Sequence, residues 1–251
     1  IKSSAASDVY KRQSLVLRGP GCSADQAGRA TNGAGAPSFI DPILGGAFLI
    51  QFDEIPNLKE ISDSEAEGLC ARLRARIIDA VSRTGGHLAS NLGTVEITVA
   101  LHRVFDTGRD RVVFDVGHQC YSHKILTGRD TAMDTLRTFG GIAGYPKPQE
   151  SQDDAFIAGH ASNSVSVALG MARARSQRGE DYHVIALIGN GALTGGLAYE
   201  GLSNAGLSGE PLLVILNDNG MSITKNVGGV AQHLAHQRLK PQSVSYTHLT
   251  L

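Results

Sequence analysis

Two polar turns, each directly after a short apolar run, contain the side chains best suited to hold an anion and a metal. Residues 189–191 (Gly-Asn-Gly) follow the apolar run 184–188, and residues 217–219 (Asn-Asp-Asn) follow the run 212–216. Glycines let backbone amides approach an anion closely, and a following helix adds the positive end of its dipole. Asn and Asp oxygens are ligands that Mg²⁺ accepts alongside phosphate oxygens. The pattern predicts a site for a phosphate-bearing ligand.

The segment between the turns predicts how they come together. Both apolar runs are strand-sized, and residues 193–205 between them are rich in small residues and predict a helix. Strand, helix and strand form a βαβ unit, whose strands are parallel and whose crossover is right-handed. Because the carboxyl ends of parallel strands meet at one edge of a sheet, we expect Asn190 to lie beside the 217–219 turn.

Three ligand classes use a glycine turn of this kind, and the spacing separates them only in part. The dinucleotide fingerprint needs Gly-x-Gly-x-x-Gly, whereas Gly195 comes one residue too late, although Asp218 still fits the acid that binds a ribose. A P-loop needs a Gly-Lys-Ser/Thr ending, which this turn lacks. The third class binds a diphosphate through a divalent metal held by oxygens from two neighbouring strand ends.

The elements that must position these turns are visible in the preceding residues. Ser62 and Glu65 form a capping-box pattern that starts a helix, which the pair Gly85-Gly86 should end. Its apolar stripe recurs every four residues, and we interpret Arg72, Arg74 and Arg76, which fall off that stripe, as a solvated face. Further helices are predicted at 94–105 and 162–175, and a strand at 112–116. The fold class predicted is α/β, a mostly parallel sheet flanked by helices.

Composition excludes several classes of protein. The chain has 251 residues, 41% of them hydrophobic and 19% charged, with a formal net charge of -1. This length and balance exclude a disulfide-stapled miniprotein and do not favour nucleic-acid binding. No apolar run reaches the ~18 residues of a membrane helix, and the first residues lack the apolar core of a secretory signal. Cys22, Cys70 and Cys120 form no C-x-x-C pair, so we expect a cytoplasmic protein without disulfides.

The sequence at the two ends of the chain differs in character from the sequence of the middle. Residues 1–13 and 243–251 resemble translated adapter sequence, and residues 14–48 are rich in Gly, Ala and Ser without a sustained period. We therefore interpret 1–48 as a non-native or disordered leader and 243–251 as a non-native tail. Ordinary disordered termini are the alternative. Residues 49–242 are predicted to form one truncated domain.

Five segments, in order and spacing, resemble the N-terminal domain of the 1-deoxy-D-xylulose-5-phosphate synthase family, thiamine-diphosphate enzymes related to transketolase. The resemblance covers about residues 57–239. The matching segments are TGGHLASNLGTVEITVALHRVFD (84–106), FDVGHQCYSHKILTGR (114–129), GHASNSVSVALGMA (159–172), GNGALTGGLAYE (189–200) and LNDNGMSITKNVG (216–228). This co-ordered set is far more specific than a lone glycine turn, and it implies a diphosphate-binding domain for thiamine diphosphate and Mg²⁺.

The resemblance implies a role for individual residues. It maps the metal ligands onto Asn190, Asn219 and the backbone carbonyl of Met221. It makes His87 the catalytic residue, in proton transfer, for which imidazole is suited by a pKa near neutrality. The cofactor-binding residues that it implies are His118, Gly159, His160, Ala161, Gly191, Ala192 and Asn219.

Other histidines carry no such implication. A single histidine beside glycines is most often a turn or capping residue, and only the motif context assigns His87 a function. His102 lies on a predicted amphipathic helix and His123 lies in a polar stretch, so we predict structural roles for both. Asp218 is expected to lie behind the metal ligands rather than among them.

Two positions depart from the family pattern. Asn190 stands where the family has Asp, and Gly220 stands where its Asn-Asp-Asn-Glu stretch has Glu. Asn keeps a carbonyl oxygen but removes one negative charge from the ligand set, so we expect weaker metal and cofactor binding. Asn163, where Thr is usual, is a milder difference.

The implied activity is condensation of pyruvate with glyceraldehyde 3-phosphate and loss of CO₂. This is the first step of the methylerythritol phosphate route to isoprenoids, and it also supplies a precursor for thiamine. The resemblance further implies a homodimer in the full-length parent, with no nucleic-acid or membrane partner. It also places the pyrimidine-binding domain beyond residue 251, so we expect this chain to be inactive alone. The alternatives are a noncatalytic thiamine-diphosphate-binding module or pseudoenzyme, and an N-terminal transketolase-type subunit.

Overall fold

A parallel sheet forms the centre of the protein, which is known here from a computed structural model that describes residues 14–18, 51–52, 54–218 and 226–238. The strands are β1 (Ser14–Arg18), β2 (Arg111–Phe114), β3 (Val184–Gly189) and β4 (Leu213–Asn217). Their order is β1-β4-β3-β2; β2, β3 and β4 are parallel, and β1 pairs antiparallel with β4 at the edge. The predicted mostly parallel sheet is confirmed.

Helices connect these strands and cover the sheet. A π-helical turn (Ile125–Arg129) and a 3-10 turn (Thr131–Thr135) follow the fourth helix. The α-helices are α1 (Asp63–Thr84), α2 (Leu88–Leu92), α3 (Val95–Val104), α4 (Tyr121–Lys124), α5 (Ser164–Arg178), α6 (Asn190–Leu193), α7 (Gly196–Ser208) and α8 (Gly229–Arg238). Among the residues described, no helix is both long and apolar enough to cross a bilayer.

The parallel strands β2, β3 and β4 are buried on both faces because their central positions are all apolar. Phe114 and Leu187 point to one side, where they pack in a core with residues of α1, such as Leu73. Val113 and Ile188 point to the other side, where the second core contains residues of α5 and α7. Continuous apolar strands between two helical layers are typical of a parallel sheet.

Helix α1 begins and ends where the sequence predicts. The Ser62 hydroxyl accepts a hydrogen bond from the Glu65 amide, and the Glu65 carboxylate accepts one from the Ser62 amide at 2.8 Å. Gly85 ends the helix with a positive φ of 73°. One interpretation of this helix is wrong, because Arg76 is not on a solvated face. Its side chain is fully buried and its Nε donates to Asp130 at 2.7 Å.

The βαβ unit is confirmed, with a correction to its helix. Leu187 and Ile215 are register partners on the parallel strands β3 and β4. The single helix predicted at 193–205 is instead two, because α6 begins directly at Asn190 and the chain bends at Gly195 before α7. Residues 1–13, 19–48 and 243–251, for which we predict leader and tail sequence, lie outside the described residues, and the described part of that leader is β1.

Candidate functional site

Four segments meet at the carboxyl edge of the sheet, and hydrogen bonds join them in pairs. Gly189 and Asn217 are register partners at the ends of β3 and β4. The Asn217 side chain donates to the Gly93 carbonyl, between α2 and α3, at 3.3 Å. The Ser162 hydroxyl donates to the Ala192 carbonyl at 2.6 Å and joins the 159–163 loop to the glycine turn. The segments selected by the sequence patterns therefore form one surface.

Asn190 lies in this surface beside Asp218, as the βαβ geometry predicts. Both are buried, and Asn190 Nδ2 donates to Asp218 Oδ1 at 2.7 Å. Asn190 Oδ1 accepts from the Gly191 amide at 2.8 Å. Asn219, Gly220 and Met221 lie outside the described residues, so two of the three implied metal ligands have no described position.

The implied cofactor-binding loop 159–161 is open to solvent at its start. Gly159 and His160 are exposed, and Gly159 has a φ of 138° with no atom within 4 Å of where a Cβ would lie. His160 Nδ1 donates to the Ala161 carbonyl at 2.8 Å, which leaves Nε2 as the acceptor of the neutral ring. The loop thus presents backbone and one imidazole to the same edge as the glycine turn.

Asp115, at the end of β2, is a positioning residue that the sequence patterns did not select. It is buried, and its two carboxylate oxygens accept from the amides of Ser162 at 2.7 Å and Ser164 at 3.0 Å. It therefore caps α5 from a neighbouring strand. Its place directly after the apolar run 112–114 is the signal that could have identified it.

His87 and His118 face each other on two separate bends. Their ring centroids are 5.1 Å apart in an edge-on arrangement, and the Tyr145 ring lies 6.2 Å from His87. His118 Nε2 is 3.0 Å from the Ser90 hydroxyl. The Nδ1 atoms of both histidines are buried, and neither has a hydrogen-bond partner among the described residues. Such atoms need a partner, and a bound ligand at this edge fits that need.

The surroundings keep both imidazoles neutral. Burial, and then the charge of Arg137, lowers the pKa of His87. Burial, and then His87, lowers the pKa of His118 against the opposing effect of Asp115. Neutral rings near pH 7 each combine one donor and one acceptor, as a proton-transferring group must.

The two bends have unusual backbone conformations, and their glycines lie close to side chains of other segments. Val116 has a φ of 60°, which is strained for a β-branched residue, and it directly precedes Gly117 at 88°. A Cβ on Gly117 would lie 2.7 Å from Pro146 Cδ, and one on Gly86 would lie 2.8 Å from the Tyr121 hydroxyl. Glycine is required at both places, and the strain lies next to His118.

Donor chemistry at the glycine turn fits a hard cation. Asn190 and Asp218 contribute amide and carboxylate oxygens. Mg²⁺ prefers oxygen ligands of this kind, whereas zinc sites use nitrogen and sulfur ligands. Across the described ranges, the structure has no group of three or more His, Cys, Asp or Glu side chains able to hold a metal. The fit therefore depends on amide and backbone oxygens, as the implied ligand set does.

A second polar cluster is formed by side chains of other segments, and we call it the buried charge network. Asp154 accepts from Arg129 at 2.7 Å and from His123 Nε2 at 3.1 Å. His123 Nδ1 then accepts from His102 Nε2 at 2.9 Å, because the carboxylate fixes the proton on the other nitrogen. Lys124, fully buried, donates to Glu150 at 2.6 Å. These contacts give His102 and His123 the structural roles predicted for them.

Comparison with known proteins identifies the domain. The family model described as 1-deoxy-D-xylulose-5-phosphate synthase matches residues 49–249. The synthase of that name from Thiobacillus denitrificans is 57% identical over 190 residues, which are 75% of this chain and 31% of that protein. The one from Parabacteroides distasonis is 58% identical over 186 residues, 74% of this chain and 29% of that protein. The chain thus spans about a third of the length of these relatives.

Solved structures agree on the fold. Transketolase from Leishmania mexicana superposes with a TM-score of 0.57 at 20% identity, covering 76% of this chain and 35% of that one. Transketolase from Campylobacter jejuni gives a TM-score of 0.53 at 23% identity, covering 59% of this chain and 27% of that one. The parallel sheet and its helical layers are therefore those of the transketolase-type α/β domain. By its sequence matches, the chain belongs to the 1-deoxy-D-xylulose-5-phosphate synthase family and contains the N-terminal domain of that family.

Proposed function

We propose that this domain forms the diphosphate-binding half of an enzyme that condenses pyruvate with glyceraldehyde 3-phosphate and releases CO₂. The product would enter the methylerythritol phosphate route to isoprenoids and supply a precursor for thiamine. The observation that carries the proposal is the facing pair His87 and His118, whose buried Nδ1 atoms lack partners among the described residues. The pair lies on two of the segments that carry the family resemblance.

The chain's own residues divide the work of holding the cofactor. Asn190, with Asn219 and the carbonyl of Met221, would hold Mg²⁺ against the diphosphate. Gly191, Ala192, Gly159, His160 and Ala161 would surround the diphosphate with backbone amides and one imidazole. Thiamine diphosphate, when bound, supplies the carbon nucleophile and the electron sink of the reaction.

The histidines would manage the proton. A neutral His87 can donate or accept at Nδ1, because this atom has no partner among the described residues. His118 is tied to Ser90 through Nε2 and therefore presents Nδ1 in a fixed direction. Burial of both Nδ1 atoms excludes water from the place where the proton moves.

A noncatalytic cofactor-binding module is the second candidate, and Asn190 is the observation that favours it. The amide of Asn190 already bonds to Asp218 and to the Gly191 backbone, and it brings one charge less to Mg²⁺ than a carboxylate does. The binding of thiamine diphosphate is common to both candidates, and turnover separates them.

A chimera tests turnover in a protein of full length. Residues 54–238 replace the matching segment of the Thiobacillus denitrificans relative, and release of CO₂ from pyruvate is measured with and without glyceraldehyde 3-phosphate. We expect activity that depends on both substrates and falls at least about a hundredfold in the His87→Ala chimera. A chimera that binds thiamine diphosphate but releases no CO₂ would support the noncatalytic module. One that folds and binds no cofactor would contradict both candidates.

We also propose that the protein functions as a homodimer in the cytoplasm. Helix α7 presents Leu197, Tyr199 and Leu207 to solvent, with Leu207 88% exposed, and a second copy would cover such a face. Sedimentation velocity should give a dimer that Leu207→Asp shifts towards monomer; a monomeric wild type would contradict the proposal. Cys70 and Cys120 are buried free thiols, which suits a reducing compartment.

A further inference from the structure

Asn91, a residue with no assigned function, lies between the two bends that carry His87 and His118. It is fully buried in α2. Its Nδ2 donates to the His87 carbonyl at 2.6 Å and to the His118 carbonyl at 2.8 Å. Its Oδ1 accepts from the Tyr121 amide at 2.8 Å. One side chain thus bonds to three backbone groups and joins the segment that carries His87 to the segment 118–121.

These contacts determine the orientation of the Asn91 amide. Two carbonyl oxygens accept from the nitrogen and one backbone amide donates to the oxygen, so exchanging the two atoms would leave no favourable contact. Aspartate at this position would place a carboxylate against two carbonyl oxygens. Alanine would remove the side-chain bond to the His87 carbonyl and would leave the His118 carbonyl and the Tyr121 amide without this partner in a buried place.

The bends that Asn91 joins have little other support from regular structure. Gly86 precedes His87 with a φ of 149°, and Val116 and Gly117 precede His118 with φ values of 60° and 88°. The amide of His87 donates to the Tyr121 hydroxyl at 3.3 Å. The Nδ1 atoms lack partners among the described residues, and the Ser90 hydroxyl contacts the other ring nitrogen of His118, so ring placement depends on that contact and on the backbone beneath each ring.

We infer that Asn91 is a positioning residue, which holds the His87 and His118 imidazoles at contact distance by tying together the backbones that carry them. The catalytic meaning of this arrangement rests on the proposed function. The geometric statement does not, because it concerns only the distance between two rings of this chain.

The distance between the two imidazoles can be followed by titration, because charged and titratable groups around the pair influence the pKa of each ring. Arg137 and His118 lie near His87, while Asp115 and His87 act on His118. Because His87 contributes to the lowered pKa of His118, separation of the rings should raise that pKa towards its ordinary value of about 6.5. Tyr121 and Tyr145 also face the pair, and burial raises the pKa of Tyr121.

The experiment titrates the imidazoles of this chain by multiple-bond ¹H–¹⁵N NMR from roughly pH 4 to pH 8, with ring-to-ring NOEs recorded in parallel. Wild type is compared with Asn91→Ala and Asn91→Ser. Serine in a helix bonds to the carbonyl four residues earlier, so Asn91→Ser keeps the contact to His87 and loses those to His118 and Tyr121. It therefore protects the test against an alanine variant that does not fold.

Thr98→Val is the matched control. Thr98 is fully buried on α3, and its hydroxyl donates to the Thr94 carbonyl at 2.7 Å, so the variant loses a buried hydrogen bond without touching either histidine. We expect both Asn91 variants to lose the ring-to-ring NOE and to raise the pKa of His118, while Thr98→Val changes only the melting temperature. Asn91 variants that keep the NOE and the wild-type pKa values while melting earlier would overturn the inference.

The same samples separate this inference from the proposed function. Thiamine diphosphate with Mg²⁺ is added to each, and the shifts of the His87 and His118 resonances are followed. A wild type whose resonances do not shift, together with a full-length chimera that binds no thiamine diphosphate, would overturn the proposed function and leave the role of Asn91 intact. Binding that weakens in the Asn91 variants, but not in Thr98→Val, would extend that role to the bound state.

Discussion

Two pairs of histidines in this protein, His102 with His123 and His87 with His118, differ in how their ring nitrogens are bonded. In the buried charge network, His123 is bonded through both ring nitrogens, to Asp154 and to His102. At the sheet edge, His87 and His118 each have a buried Nδ1 without a partner among the described residues. A histidine whose bonds are complete holds the fold together, whereas one with an unused buried atom is ready for a ligand. The bonding of the ring nitrogens, rather than residue type, therefore separates His123 from the two histidines of the proposed site.

Asp154→Asn, in the buried charge network, should lower the free energy of unfolding more than any other variant considered below. Burial opposes ionisation of Asp154, but hydrogen bonds from Arg129, His123 and the Lys147 amide outweigh it and hold the pKa of this carboxyl well below its usual range. Removing the charge leaves Arg129 and Lys124 buried without it, which costs roughly 3–5 kcal/mol. Urea unfolding followed by circular dichroism measures the loss. A loss below about 1 kcal/mol would mean that the network does not stabilise the fold.

Asn190→Asp, at the candidate site, should lower stability in the absence of metal and tighten cofactor binding in the presence of Mg²⁺. Without metal, it places two carboxylates where Asn190 Nδ2 now donates to Asp218, so stability should fall. With Mg²⁺, the added charge should tighten metal-dependent binding of thiamine diphosphate by about 1–3 kcal/mol, or roughly tenfold to a hundredfold in Kd. Calorimetric titration at fixed Mg²⁺ measures the gain, and melting with and without Mg²⁺ measures the reversal.

The control for that experiment is Asn219→Ala, which should weaken binding. If Asn190→Asp binds no better and Asn219→Ala binds no worse, these residues do not hold the metal. Stability that is unchanged in the absence of metal would contradict the direct contact between residues 190 and 218.

His102 should make the stability of the buried charge network depend measurably on pH. Burial, and then the interaction with the neighbouring His123 imidazole, lowers its pKa from the ordinary 6.5 to about 3. The unfolded chain therefore binds more protons between these values, so the stabilisation from neutral His102 is complete above pH 6.5 and is lost as pH falls towards 3. His102→Gln, which cannot titrate, should reduce the slope of unfolding free energy against pH by up to about 1.4 kcal/mol per pH unit. Identical slopes for both proteins would show that His102 is protonated in the fold.

Asp181→Asn should have the smallest effect and provides the reference for the other variants. Asp181 pairs with Arg109 at 3.1 Å, but its side chain is 98% exposed. Exposed pairs are screened by solvent and contribute little, so we expect a change in melting temperature within the error of the measurement. A clear loss would mean that charge on this face matters and would weaken the conclusion drawn from Asp154→Asn.

Local patterns predicted the elements well but not their polar contacts. The capping box at Ser62, the end of α1 at Gly85 and the parallel pair β3 and β4 all follow from residues close in sequence. Arg76 was misjudged because its partner Asp130 is 54 residues away, and helical periodicity carries no information about such a pair. Placement of charged groups depends on tertiary packing, which a single sequence does not encode locally.

The candidate site also has features that the sequence predicted and contacts that it did not. The glycine turn predicted that Asn190 would meet the end of β4, because parallel strands align their carboxyl ends. Nothing in the spacing of His87 and His118 predicted that their rings would be 5.1 Å apart, since the bends that carry them contact each other only in three dimensions. Asn91 lies within a segment selected for its histidine, yet its own role depends on contacts to residues 27 and 30 positions away.

The capping of α5 by Asp115 has a consequence for the electrostatics of cofactor recognition. A carboxylate of the protein itself already neutralises the positive end of this 15-residue helix, so its dipole has little attraction left for an incoming diphosphate. If the proposed function holds, the attraction would come from the divalent cation and from the backbone amides of the glycine turn. Affinity for the cofactor should accordingly follow the concentration of free Mg²⁺ closely, which would make this half-site responsive to the metal supply of the cell.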